Sequence, residues 1–257
     1  MSAELPAPLT AEQKTSGQRV IVILEDAPLE VVKVKHGFQL ANCDDHRGLL
    51  QNAKRDPAEM RPDITHQCLM TLLDSPLNKA GRLVIYIHTA KNVVIEVSPQ
   101  LRVPRTYKRF AGLFVELLQR HKIRAKDGSE ILMKVVSGPV SKYLPVNGRK
   151  IGFSVNGKLV LLREHVKSLP ECQPPKRPLL LEEGDAADDA AEPQKKKKKA
   201  NEAEGPVSYV VGAVSHSDPA PKCDYVEECV SISNYPLSAS VCCSKICNEF
   251  ENLWGVH

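Results

Sequence analysis

The chain has 257 residues, a net charge of +4, and 42% hydrophobic against 26% charged residues, the balance of an ordinary globular domain. The longest apolar runs, such as Val20–Leu24, fall far short of the ~20 residues that a bilayer span needs. Residues 1–18 lack the basic start and apolar core of a secretory signal, so they are expected to form a disordered tail on a soluble chain with no membrane partner.

Arg19–Leu24 (RVIVIL) and Leu29–Val34 are apolar and β-branched and read as strands, the first one buried. Residues 36–60 read as a polar, loop-rich stretch with a short helix. Asp63–Leu73 has helical character, with Pro62 and Asp63 where a first turn favours them, and "DSPLNKAG" stops it. Leu83–Thr89 and Asn92–Ser98, joined by a very short turn, predict a hairpin. Phe110, Leu113, Phe114, Leu117 and Leu118 recur at helical spacing and predict a one-faced helix starting near Thr106.

Ile131–Val136, Lys150–Val155 and Ser208–Val214 read as further strands, and Leu159–Leu169 reads equally as strand or helix. Residues 171–206 differ in kind. They hold five prolines, an acidic run and then five lysines (195–199), and read as a disordered insert between two core elements. The lysines suit a nuclear address, an RNA-contacting tail or a solvated linker. The chain closes with a strand over Val230–Ser233, the turn "NYPLSA" and a helix over Leu237–Trp254. Strands alternating with helices argue for an α/β domain on a mainly parallel sheet.

Five of the eight cysteines (Cys223, Cys229, Cys242, Cys243 and Cys247) crowd the C-terminal part. No CxxC pair occurs and no histidine sits at finger spacing, so buried reduced thiols are favoured and no metal is expected.

Charge is concentrated where composition hides it. Leu101–Lys126 carries eight Lys or Arg against a single acid, Glu116. Arg102, Arg105 and Arg109 cluster at the expected start of the helix, on the side away from Phe110. Sequence-local acidic partners are lacking, which favours a polyanion over a solvated face. In Arg61-Pro62-Asp63, the carboxylate either serves the helix start alone or fixes the Arg61 guanidinium to present donors to a base or phosphate. Spacing leaves both open. No GxGxxG, Walker A, HExxH or GxSxG motif is present. His66 and His88 have no nucleophile in context and read as core or surface histidines.

Longer strings say more. "NCDDHRGLL", "RPDITHQCLMTLLDSPLNKAG", "VPRTYKRFAGLFVELL", "VVGAVSH" and "SISNYPLSAS" occur in this order between Arg19 and Val256, interrupted only by the insert. Together they closely resemble the ribosome-biogenesis pseudouridine N1-methyltransferases of the SPOUT superfamily, the small-subunit rRNA enzymes of eukaryotes and archaea. The resemblance implies a single SPOUT domain over 19–257. Its sheet is mainly parallel, with a C-terminal deep trefoil knot and a β-hairpin and helical extension.

The resemblance also implies S-adenosylmethionine bound at the knot, with Ile232, Ser233, Asn234, Tyr235, Pro236 and Leu237 wrapping it. Gly212 matches a cofactor-loop glycine and Phe153 a further contact. Ser217 stands where the family has a second glycine, which raises the question of whether a positive φ is needed there. Arg61, Arg102, Arg105 and Arg109 match RNA-contacting arginines, and Asp63 the acid that holds Arg61.

The implied reaction is attack of a pseudouridine N1 on the sulfonium methyl, with Arg61, oriented by Asp63, stabilising developing charge. No general base is assigned, since a carboxylate bound to arginine is a poor proton acceptor. A homodimer, small-subunit rRNA, pre-ribosomal assembly factors and a nuclear, nucleolar location are further implications. Two rivals remain. One is an RNA-binding assembly factor acting independently of methyl transfer. The other is a SPOUT enzyme for another nucleoside, such as uridine N3 or guanosine N1, against which the string RPDITHQ speaks.

Overall fold

In the computed structural model, which describes residues 6–7, 9–173 and 205–257, the first regular element lies inside the stretch expected to be a disordered tail. Thr10 and Gln13 form a capping box on a short helical turn, α1 (Ala11–Lys14). Leu9 packs on the core and Lys14 pairs with Glu96 at 2.6 Å, with both side chains largely shielded. An apolar anchor and a shielded ion pair thus hold residues 9–18 against the sheet, which corrects the sequence reading.

β1 (Val20–Ala27) follows, with Val20–Leu24 all at 0% exposure. A hairpin comes next, β2 (Val31–Val34) antiparallel to β3 (Gly37–Leu40), and then α2 (Arg47–Asn52). The polar, loop-rich reading missed β3 because only Leu40 of that strand is buried, so it carries no alternation. Pro62 opens α3 (Pro62–Asp74), and Ser75 ends it while capping α4 (Pro76–Lys79). β4 (Leu83–Thr89) and β5 (Val94–Val97) form the expected hairpin. Its turn has Asn92 in the left-handed region at φ 57°.

Thr106 precedes α5 (Tyr107–Arg120), which buries Phe110, Phe114 and Leu117, and His121 ends the helix in a left-handed conformation. β6 (Lys122–Arg124), β7 (Ile131–Val136) and β8 (Lys150–Leu159) lead to α6 (Leu162–Ser168), which settles the ambiguous stretch as helix. β9 (Val207–Gly212), β10 (Glu228–Ser231) and α7 (Ala239–Trp254) complete the chain.

One eight-stranded sheet runs in the order β10-β8-β9-β1-β4-β5-β7-β6. The first five strands pair in parallel and the last three antiparallel, which is the mixed, mainly parallel α/β sheet expected. Period-two alternation divides β1 between two cores. Val20, Val22 and Leu24 join α3, α5 and α7 through Leu69, Leu72, Phe110, Phe114, Ile246 and Phe250. Ile21 and Ile23 face Val84, Tyr86, Val140, Leu144 and Val210 on the other side. Burial on both faces explains why β1 reads as an unbroken apolar run.

Of the stretch 171–206 expected to be a disordered insert, residues 174–204 lie outside the described residues, while 171–173 and 205–206 belong to the fold. Cys172 lies in a short 3₁₀ turn (Pro170–Cys172) and is buried, as are Gly205 and Pro206. The lysine run 195–199 lies outside the described residues. On the near side of the insert, the Cys172 carbonyl accepts from Trp254 Nε1 at 2.8 Å, and Arg82 lies over the same indole ring at 5.6 Å.

Candidate active site

The turn between β10 and α7 is held by its own hydroxyls. Ser231 Oγ donates to the Ser233 carbonyl at 2.9 Å, the Tyr235 N–H donates to Ser233 Oγ at 3.0 Å, and Ser238 caps α7. Together with two other loops this turn encloses a cavity of about 660 Å³, within the usual range of small-molecule sites.

The second wall comes from an interruption in a strand. β10 pairs with β8 at Ile151 and Gly152, and its next residues pair with Lys158 and Leu159. Five residues of β8, Phe153–Gly157, therefore intervene between consecutive partners, and four of them (Phe153, Ser154, Val155 and Asn156) line the cavity. Gly157 lets β8 return, because a Cβ there would lie 2.7–2.8 Å from the backbone of Cys229 and Val230.

The third wall is the loop after β9. Gly212 lines the cavity, and a Cβ on it would meet the Pro219 ring at 2.8 Å. Ser217 also lines it. Among the described residues, the non-glycine ones with positive φ are Asp26, Lys54, Asn92 and His121, so Ser217 stands in the glycine position without left-handed strain. Ile232, Ser233, Tyr235, Pro236 and Leu237 face the cavity as well. Asn234, between Ser233 and Tyr235 in the same turn, is exposed and does not line the unliganded cavity.

Arg61 joins these walls from α3. Pro62 fixes the first helical position, which leaves Arg61 as the preceding cap and puts Asp63 in the first turn. The guanidinium donates to both carboxylate oxygens, Nε to Oδ1 at 2.9 Å and Nη2 to Oδ2 at 2.7 Å. That hydrogen-bonded pair is the main cause holding the Arg61 pKa above its ordinary value. Of the two readings of Asp63, the one that fixes the guanidinium is the one observed. Ser215 Oγ donates to the Ala58 carbonyl at 2.8 Å and so ties the β9 loop to the segment leading into Arg61.

Arg102, Arg105 and Arg109 lie elsewhere. All three are exposed around the start of α5, and none lines the cavity. Arg105 pairs with Asp74 at 2.7 Å, while Arg102 and Arg109 meet no carboxylate among the described residues. His66 links the two regions. It stacks on Phe110 at 4.4 Å, and its Nε2 donates to the Pro104 carbonyl at 2.7 Å, so α3 holds the loop that carries Arg102 and Arg105.

A buried polar cluster supports the β9 loop from the other face of the sheet. The Glu25 carboxylate, 6% exposed, accepts from His88 Nδ1 at 2.6 Å and from Tyr225 Oη at 2.5 Å. The bond to Glu25 is the main cause raising the His88 pKa; burial does the same for Tyr225. His88 is thus a bonded anchor, which sequence reasoning took for an ordinary histidine. Ser154 and Asp218, also missed, hydrogen-bond in the cavity at 2.6 Å. No periodicity marks them, since one lies in a strand interruption and the other in a loop.

The family model described as EMG1/NEP1 methyltransferase matches residues 22–251. A Drosophila melanogaster protein named ribosomal RNA small subunit methyltransferase NEP1 is 46% identical, over 93% of this chain and 84% of its own length. A human protein of the same name is 44% identical, over 96% of this chain and 87% of its own length. In fold, the chain is similar to the crystal structure of Archaeoglobus fulgidus Nep1 bound to S-adenosylhomocysteine, with a TM-score of 0.59 at 20% identity, covering 92% of this chain and 99% of that one. The match across nearly the whole domain, with the cavity and the Arg61–Asp63 pair inside it, settles the membership: this chain belongs to the EMG1/NEP1 methyltransferase family.

Proposed function

We propose that this chain is an S-adenosylmethionine-dependent enzyme that methylates N1 of a pseudouridine in small-subunit ribosomal RNA. The observation that carries the reading is one cavity of about 660 Å³ that joins the β10–α7 turn, the β8 interruption and the Gly212 loop to a guanidinium locked by Asp63. The names of the Drosophila and human relatives support rRNA as substrate, and the ligand of the archaeal neighbour supports the cofactor.

The cavity suits that cofactor. Phe153, Ile232 and Leu237 offer apolar surface, and the hydroxyl-rich turn and the Gly212 loop bring backbone close to a ligand. Bound there, S-adenosylmethionine supplies an electrophilic methyl group. The chain's own residues position and polarise the base. A pseudouridine keeps a free N1–H because its glycosidic bond is to carbon, and it must leave its stack to reach the cavity wall. Arg61, fixed by Asp63, is already in that wall and stabilises negative charge developing on the ring. Arg102, Arg105 and Arg109, outside the cavity, hold the phosphates of the flanking strand.

The same reading extends to assembly. A trefoil knot over β8–α7 is supported by β9 inserting between β8 and β1 before the chain returns to the sheet edge as β10. Homodimer formation, contact with pre-ribosomal assembly factors and a nucleolar location belong to this proposal. Transfer of labelled methyl to matched rRNA-loop oligonucleotides tests it. Label is expected in the pseudouridine RNA and not in the uridine RNA; label in both, or in neither while RNA still binds, overturns it.

A further inference from the structure

The cavity wall holds a carboxylate that the reaction above does not use. Asp218 is the one acidic residue lining the cavity among the described residues. Its Oδ2 accepts from Ser154 Oγ at 2.6 Å, and that hydroxyl, on a residue only 6% exposed, also accepts from the Asn156 N–H at 3.1 Å. The carboxylate is therefore fixed to the wall. No Lys, Arg or His of the described residues pairs with it, and the cavity's arginine is taken by Asp63. A half-buried carboxylate without a cation is costly unless a ligand provides the donor.

We propose that Asp218, held by Ser154, accepts the ammonium group of the amino-acid tail of S-adenosylmethionine; this rests on the cofactor reading given above. The cofactor has four groups that could meet a carboxylate. The sulfonium has no N–H or O–H to donate, and a carboxylate against it would stabilise charge that methyl transfer removes. The ribose hydroxyls and the adenine amino group are neutral donors. The ammonium alone gives a charge-assisted hydrogen bond and neutralises the wall. Charge matches as well: the Arg61–Asp63 pair cancels itself, which leaves Asp218 as the negative complement to a cofactor with one net positive charge.

Calorimetric titration with two ligands tests the assignment. S-adenosylhomocysteine keeps the ammonium, and 5′-methylthioadenosine keeps adenine, ribose and sulfur but lacks the amino-acid tail. Asp218→Asn is expected to weaken S-adenosylhomocysteine about ten- to a hundredfold and leave methylthioadenosine within about twofold. Retained methylthioadenosine binding shows that the variant cavity is folded. Where Asp218→Asn fails to fold, Ser154→Ala gives the same selective loss at smaller size, since it loosens the carboxylate without removing it. Equal losses for both ligands put Asp218 on the ribose or adenine or in a purely structural role, and no loss removes it from the site; either overturns the assignment. A wild-type protein that binds neither ligand overturns the cofactor reading instead, before any variant is made.

Discussion

The cavity and the arginine surface around the start of α5 are neighbours built by opposite means. The cavity is made of backbone: a serine-braced turn, a strand that leaves its ladder for five residues, and glycines where chains nearly touch. The arginine surface is made of side chains, exposed and held by single partners such as Asp74 or by none among the described residues. The first should fail through small added atoms and the second through lost charges. Arg61 belongs to both, lining the cavity while bound to its own carboxylate.

Gly157→Ala is expected to have the largest effect. The new Cβ would sit 2.7–2.8 Å from backbone atoms of Cys229 and Val230, and backbone does not move aside cheaply. A stability loss of about 1–3 kcal/mol by urea unfolding should accompany loss of cofactor binding. Gly212→Ala, against the Pro219 ring, should follow it at smaller size. Ser217→Gly should change neither quantity, because Ser217 is not in a positive-φ conformation. A large effect of Ser217→Gly would mean that the cavity is governed by side chains after all.

Arg61→Ala sharpens the contrast at the residue common to both regions. Methyl transfer should drop by about two to three orders of magnitude, the cost of one lost charge-stabilising donor in a preorganised site. Affinity for S-adenosylhomocysteine should fall far less. Asp63→Asn, which leaves the guanidinium in place but loosens it, should give an intermediate rate, read from single-turnover transfer to the pseudouridine oligonucleotide.

How far the sequence could be read follows the same division. Buried strands and the amphipathic α5 were legible because β-branched runs and helical spacing report burial: Leu83–Thr89 matches its strand end to end, while the readings of β1 and β8 stop three and four residues short of Ala27 and Leu159. The arginines were legible as local charge, and the Arg61–Asp63 pair as an alternative that geometry has settled. The strand interruption at Phe153–Gly157, the Glu25–His88–Tyr225 cluster and the Ser154–Asp218 bond were not. Each depends on residues more than 60 positions apart, and no local pattern encodes such a meeting. Resemblance supplied Phe153, Gly212 and the turn over Ile232–Leu237, which, Asn234 apart, line the cavity.

For the outer arginines the expected effects are modest and additive. Arg102→Ala and Arg109→Ala should each weaken RNA binding and lower the slope of log affinity against log salt by about one, as for a lost phosphate contact. Asp74→Asn should act in the opposite sense. By freeing Arg105 from an exposed pair it should tighten RNA binding about two- to fivefold, the scale of a surface ion pair. RNA affinity and salt slope equal to the wild type's in all three variants would detach this surface from the RNA.

The smallest expected effect separates the two regions by pH. His88 donates to buried Glu25, and that bond raises its pKa above the ordinary 6.5. A group with a raised folded-state pKa adds stability in full below its unfolded value and loses it as pH rises through the folded value. The cluster that anchors Tyr225, and through it the loop after β9, should therefore be firmest below about pH 6.5 and loosen above it. The exposed arginines stay charged throughout this range. Unfolding midpoints of the wild type should thus fall from pH 6 towards pH 8 relative to those of His88→Gln, which cannot titrate. Cofactor affinity should show the same relative trend, while RNA affinity at fixed salt should not. Parallel pH profiles for the wild type and His88→Gln would show that the charge on His88 contributes nothing to holding the loop, and would leave it to the bonds that do not titrate in this range, such as that of the Tyr225 hydroxyl to Glu25.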